Sequence, residues 1–279
     1  MRYKKITIHL LRLSALTILI HSGGGFSETQ IFNGGTSQLN ESSYLEGIEA
    51  RNQAQVNNRP GQPLSLSSGG NEKAAVKASG ESTVTLEGAE DKKIVVETQE
   101  VGRSYGFWAI ENSTLTAKQI AITLKGEHDT AVAVQTGAKV DIQNSTLSSI
   151  GQKARGIVAS EDAKVTGNHL DIRVEGQDAR AIRIEGNSTV DIQNSTLSSH
   201  GKNAFGILAF ARAKVTGNDL DIKVGGQGAN AVATNGNATI HLHDSHIQTL
   251  ATPSRGAVFG NRRHRHDSDH HGRVSPCRR

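Results

Sequence analysis

Hydrophobic residues in this chain recur in columns. Leu115, Val140, Val165, Val190, Val215 and Ile240 stand 25 residues apart, as do Ile122, Leu147, Ile172, Leu197, Ile222 and Ile247. A third column runs Phe107, Val132, Ile157, Ile182, Ile207 and Val232, preceded at each step by glycine or alanine. Gly126, Gly151, Gly176, Gly201 and Gly226 form a column of their own and mark one corner of every unit. A stricter repeat of 50 is superimposed: DIQNSTLSS at 141–149 returns at 191–199, and AKVTGN at 163–168 returns at 213–218. Self-similarity at a fixed period is the mark of a solenoid.

Each unit holds three short apolar stretches of period two, for example Val140-Asp-Ile142, Leu147 with its neighbours, and Gly156-Ile-Val-Ala159. Alternation of inward and outward positions specifies strands rather than helix turns. The predicted fold is therefore all-β: a right-handed, single-stranded parallel β-helix of about seven rungs with 25 residues each. No proline occurs between Leu64 and Thr252, as unbroken ladders require, because proline cannot donate to a neighbouring rung. A polar pair always separates strands one and two: Gln143-Asn144, Asn168-His169, Gln193-Asn194, Asn218-Asp219, His243-Asp244. Asn and Asp tolerate left-handed backbone angles, so a corner belongs there. Asn112, Asn144, Asn187 and Asn194 also fit the glycan-acceptor pattern Asn-x-Ser/Thr, but turn chemistry explains them without it.

The ends of the chain read differently. Arg2, Lys4 and Lys5 precede an apolar run to Ile20, and small residues follow, so residues 1–25 are expected to be a secretory signal peptide. The uninterrupted apolar stretch Leu13 to Ile20 is far below the ~20 residues a membrane span needs, and no span is expected in the mature chain. Residues 26–80, rich in Ser, Gly, Asn and Gln with Pro60 and Pro63, are expected to be a poorly regular leader and a cap; 81–260 is the β-helix. The register fails past Phe259, leaving 261–279 as an irregular Arg/His-rich tail.

Composition agrees with many short strands joined by tight turns: aromatics are 4% and glycines number 30. The net charge of +4 misleads, since the first 25 and the last 19 residues each carry +4 and the segment between them about −4. That segment lacks the basic stripe of a nucleic-acid binder. Cys277, the one cysteine, lies in the tail, so packing and hydrogen bonds alone must hold the fold.

An export signal, a Ser/Gly/Asn-rich leader and cysteine-free rungs with recurring STV, NSTL and GI.A phrases together resemble the passenger domain of pertactin-like autotransporters of Gram-negative bacteria. The resemblance covers roughly 1–260. It implies export through the periplasm, passage across the outer membrane unfolded, and display at the cell surface or release. The chain ends Cys277-Arg278-Arg279 without amphipathic barrel strands, so the expectation is a passenger truncated before its translocator, with outer-membrane attachment only if a barrel is supplied.

Candidate chemistry is sparse against this background. Asp141, Thr166, Asp191, Thr216, His241 form the outward column of strand one, and Thr146, Asp171, Thr196, Asp221, His246 that of strand two. Acids thus alternate with threonine rather than converge, which avoids like-charge neighbours and does not assemble a carboxylate pair. His241, His243, Asp244 and His246 have chelating side chains but read as a polar terminal rung; His264, His266, His270 and His271 sit in the tail. No catalytic, cofactor or metal residue is assigned. Strand three differs, because its outward columns carry Trp108, Arg155, Arg180, Phe205 and Leu208, an aromatic and Arg-bearing apolar strip of the kind binding surfaces favour. These five are the candidate partner-binding residues. The functional expectation is a monomeric, non-enzymatic adhesin or virulence-type passenger that binds a host cell-surface or matrix protein or glycan. A carbohydrate-active β-helix enzyme and a non-functional remnant of a larger autotransporter are the alternatives.

Overall fold

A computed structural model describes residues 28–68, 70–98 and 102–250, together with the backbone of 255–259. The expected signal peptide and the Arg/His-rich tail lie outside the described residues. The fold is a parallel β-solenoid. Every strand pairing among the described residues is parallel, and the hydrophobic columns are its vertical axes: Val140 pairs with Val165, Val165 with Val190 and Val190 with Val215. The other two columns stack the same way, through Leu147 and Ile172 and through Ile157 and Ile182. Together the three columns fill one continuous apolar interior.

Three faces are built from only two sheets. The third ladder is a ten-stranded sheet, whereas the first and second merge into one of fourteen strands. The merger occurs because strands Lys139–Ile150, Lys164–Glu175, Thr189–His200 and Lys214–Gly225 run through the corner without interruption. The bend is made by a single left-handed residue, the second of each polar pair: Asn144 at φ 50°, His169 at 53°, Asn194 at 49°, Asp219 at 52° and Asp244 at 48°. One residue in that conformation turns the chain while its neighbours keep their rung-to-rung partners, and Asn194 also donates from Nδ2 to Asn168 Oδ1 of the rung below at 2.8 Å. The asparagines at Asn144 and Asn194 thus serve the backbone turn.

The expectation for residues 26–80 is corrected. Gln30–Asn33, Ile48–Arg51 and Ala74–Ala78 already belong to the third ladder, and Thr36–Leu39 and Gln55–Asn58 to the first. These rungs escape a search at constant period because their steps vary. Partners lie 19 residues apart between Thr36 and Gln55, 28 between Ala54 and Ser82, and 31 between Glu87 and Lys118. Extra residues are absorbed at corners, where loop length is cheap and no ladder bond is lost.

The 50-residue period has a cause in the interior. Ile142 and Ile192 point inward from strand one, but the equivalent positions on alternate rungs are Gly167 and Gly217. The residue just past the corner alternates the opposite way: Ser145, Leu170, Ser195, Leu220. A Cβ on Gly167 would lie 2.6 Å from Cδ1 of both Leu170 and Ile192. Leucine therefore fills from one side of the corner the volume that isoleucine fills from the other. On the serine rungs the hydroxyl works instead for the backbone: Ser195 Oγ accepts from Leu170 N at 2.9 Å, and Ser145 Oγ from Ile120 N at 3.0 Å. The surface alternation of Asp and Thr runs in step, with Thr166 Oγ1 donating to Asp141 Oδ1 at 2.8 Å.

A buried carboxylate joins the irregular rungs to the regular ones. Asp129 is fully buried at a position occupied by Ala154, Ala179 and Ala204 in later rungs. It accepts from Ser104 N at 2.7 Å, Gly126 N at 2.8 Å and Thr98 Oγ1 at 3.1 Å. Burial pushes its carboxyl above the ordinary carboxylate range, against the pull of those three donors. Replacing Asp129 by alanine leaves two backbone N–H groups unpaired and is expected to destabilise the fold by about 2–4 kcal/mol. The raised pKa sets the pH dependence. The folded state holds the proton more tightly than the unfolded state, so this contribution is complete below the unfolded pKa and declines as pH rises through the folded one. The advantage of wild type over D129A in urea melts should widen as pH falls from 7 towards 4; a constant gap would contradict the assignment.

Candidate binding face

The outer surface of the third ladder collects the candidate residues. Register places Tyr105, Thr130, Arg155, Arg180, Phe205 and Asn230 in one column. The neighbouring column is Trp108, Ala133, Val158, Arg183, Leu208 and Ala233. Arg155, Arg180 and Phe205 therefore stand directly one above another. Trp108 lies two rungs below Arg155 in the adjacent column, and Leu208 is level with Phe205. Residues of the second column face outward because they alternate with the inward Phe107, Val132 and Ile157.

This face is flat and unusually dry. Thr130 and Ala133 share the columns of Tyr105 and Trp108 yet retain only 1% and 3% of their surface. Leu208 keeps 7%, so it forms the floor of the strip rather than a contact at its surface. At one end Tyr105 and Trp108 stack with ring centroids 4.8 Å apart, and the Lys77 ammonium sits 5.1 Å from the Trp108 ring. Trp108 Nε1 donates to Gln135 Oε1 at 3.1 Å. At the other end the Arg183 guanidinium lies 5.5 Å from the Phe210 ring and pairs with Glu185 at 2.7 Å.

Between these ends cations predominate. Burial and then the repulsion of Arg180, Arg183 and Arg103 lower the Arg155 guanidinium to about 10, and burial followed by Arg183 lowers Arg180 against the weaker pull of Asp178. His128 is lowered too, first by burial and then by Lys153, Arg155 and Arg103. The buried Nε–H groups of Arg155 and Arg180 have no acceptor among the described residues. Sequence reasoning selects Trp108, Arg155, Arg180, Phe205 and Leu208 but leaves out Arg183, Lys77, Arg103 and Phe210. Arg183 is legible in the outward column; Lys77 is hidden because its segment reads as leader.

Other candidates do not assemble in this way. His241 and His243 extend from one side of their strand, while Asp244 makes the corner before His246. A shallow hollow of about 270 Å³ lies beside that corner, lined by Asp219, Asp221, Asp244 and His246 among others. Among the described residues no group of three or more His, Cys, Asp or Glu is arranged to hold a metal ion. The strand carboxylates are engaged laterally, Asp171 with Arg173 at 2.6 Å and Asp221 with Lys223 at 2.5 Å. Among the described residues no helix is long and apolar enough to cross a membrane.

No protein-family model matches the chain, and no curated protein or solved structure gives a match. The reading of the third-ladder face therefore rests on its own chemistry.

Proposed function

We propose that this chain is a non-enzymatic passenger of the pertactin-like type, exported and displayed or released outside the cell. In this reading a monomer binds a host cell-surface or matrix component through the outer face of the third ladder. One contrast carries the reading. The outward columns of the first and second ladders hold Asp, Thr, Ser and Lys, as a solvated solenoid face should. That of the third holds half-buried aromatics, with Arg155 and Arg180 closing no ion pair and their Nε–H groups without an acceptor among the described residues. Such a strip is costly for a surface that only meets water and useful for one that meets a partner. Export is supported by the basic-apolar N-terminus and the cysteine-free rungs. Rung-upon-rung contacts support it as well, because a chain whose repeats touch only their neighbours can fold progressively as it emerges.

The double variant R155A/F205A tests the proposal. Neither side chain contributes to the interior, so circular dichroism and the melting transition should be unchanged. Adherence of the purified protein to host cells or matrix should fall to background. Undiminished adherence by the folded variant would reject this face as the docking surface.

A further inference from the structure

We infer that the partner of the third-ladder face is an acidic polysaccharide, lying along the solenoid axis with carboxylate or sulfate groups on Arg155 and Arg180 and sugar faces on Phe205. This rests on the docking face proposed above and names its ligand class.

Charge complementarity is the first argument. Arg155 and Arg180 are vertical neighbours, Arg183 shares the rung of Arg180, and of the three only Arg183 closes an ion pair among the described residues, Asp178 acting on Arg180 from farther off. Guanidinium groups held together this way repel one another and present unused N–H donors, so a string of anions at rung spacing relieves both costs. The chain's own ends are poor occupants: residues 1–25 and 261–279 each carry +4 and are repelled by the same arginines.

Hydrogen-bonding capacity separates a glycan from a peptide. Free acceptors are scarce on this face, because Glu185 is committed to Arg183, Glu49 to Lys77, Asp178 to the Asn203 amide and Gln135 to the Trp108 indole. A peptide backbone brings one donor for each acceptor and would leave its N–H groups unpaired here. Ladder strands also have both backbone edges already engaged by neighbouring rungs, so a peptide cannot add as a further strand on this face. An acidic glycan brings an excess of acceptors together with C–H faces that settle on aromatic rings. A nucleic acid also stacks and carries anions, but its dense charge is opposed by a body of about −4, whereas a uronic-acid chain is less densely charged. From Trp108 to Leu208 is four rung steps, a track of ~19 Å suited to a short run of sugars.

The test uses the full chain with an oligogalacturonate long enough to cross four rungs, measured by calorimetry beside its neutral methyl ester. The expected result is binding of the acid form only. R155A/R180A should weaken it about tenfold or more, as loss of charge-assisted bonds implies, and F205A should weaken it to a lesser degree. A tail variant with Arg262, Arg263 and Arg265 changed to glutamine should bind as wild type does. Equal affinity of R155A/R180A and wild type, loss of binding in the tail variant, or preference for poly-glutamate or single-stranded DNA would overturn the inference. If R155A/F205A abolishes host-cell adherence while wild type ignores the oligogalacturonate, the ligand class fails and the docking face stands. Shortening of the oligogalacturonate during the titration would overturn the non-enzymatic reading instead.

Discussion

Replacing Gly176 by alanine is expected to destabilise the fold by roughly 4 kcal/mol, the sum of a conformational and a steric part. The conformational part comes from φ +129°, a region that residues with a Cβ rarely enter. The steric part is specific to stacking. An added Cβ would land on the backbone carbonyl of Gly151 in the rung below. Backbone cannot swing away as a side-chain end can, and this carbonyl belongs to a corner already held by Gly151 N donating to Glu175 O at 2.9 Å. The same geometry recurs where Gly201 sits on Gly176 and Gly226 on Gly201, so a displacement at one rung is passed to the next. Gly70 is the control. It has φ +143°, and an added methyl would meet only the Lys73 side chain at 3.8 Å, so G70A isolates the conformational part at about 1–3 kcal/mol. Urea unfolding of the two variants distinguishes the parts, and equal losses would show that close approach between rungs is not what selects glycine.

That glycine column illustrates what the sequence makes legible and what it does not. A residue type required at every rung appears as a column at constant spacing, and the inward Val, Leu and Ile positions from Leu115 to Ile240 do the same. The solenoid, its step and its inward faces follow from those columns. Residues 30–80 obey the same physics, but corners of varying length shift them out of phase, so Ile48 and Val76, although directly paired, do not share the 25-residue register. Lys77, which meets Trp108 in space, is hidden along with that segment. The binding face is half legible. Outward aromatics and arginines are visible in a column, but which arginines close an ion pair is not. Arg173 and Lys223 pair with aspartates two residues away on their own strands, whereas Arg180, with Asp178 at the same separation, is drawn to it only at longer range and its Nε finds no acceptor among the described residues; only the placement of neighbours separates the two cases.

The interior alternation leads to the second large effect, an interaction energy between two residues on one rung. Substituting isoleucine at Gly167 drives new atoms into Leu170 and Ile192, whose methyl carbons already stand 2.6 Å from the position of an added Cβ. Overpacking of this kind costs about 1–3 kcal/mol. Substituting serine for Leu170, itself only 3% exposed, empties that space and costs about 2–5 kcal/mol. The double variant G167I/L170S gives this rung the Ile–Ser pairing that its neighbours have in Ile142 with Ser145 and Ile192 with Ser195. It should therefore be more stable than the sum of the two single losses allows, by about 1–3 kcal/mol. Recovery stops short of wild type because isoleucines would then stack on three successive rungs, and Ile192 Cδ1 must give way. If the two losses simply add, the 50-residue period owes nothing to exchanged volume. The outer pairing of Asp141 with Thr166 would then be left as its cause, and an outer pairing gives no reason for glycine to recur at Gly217 beneath Leu242.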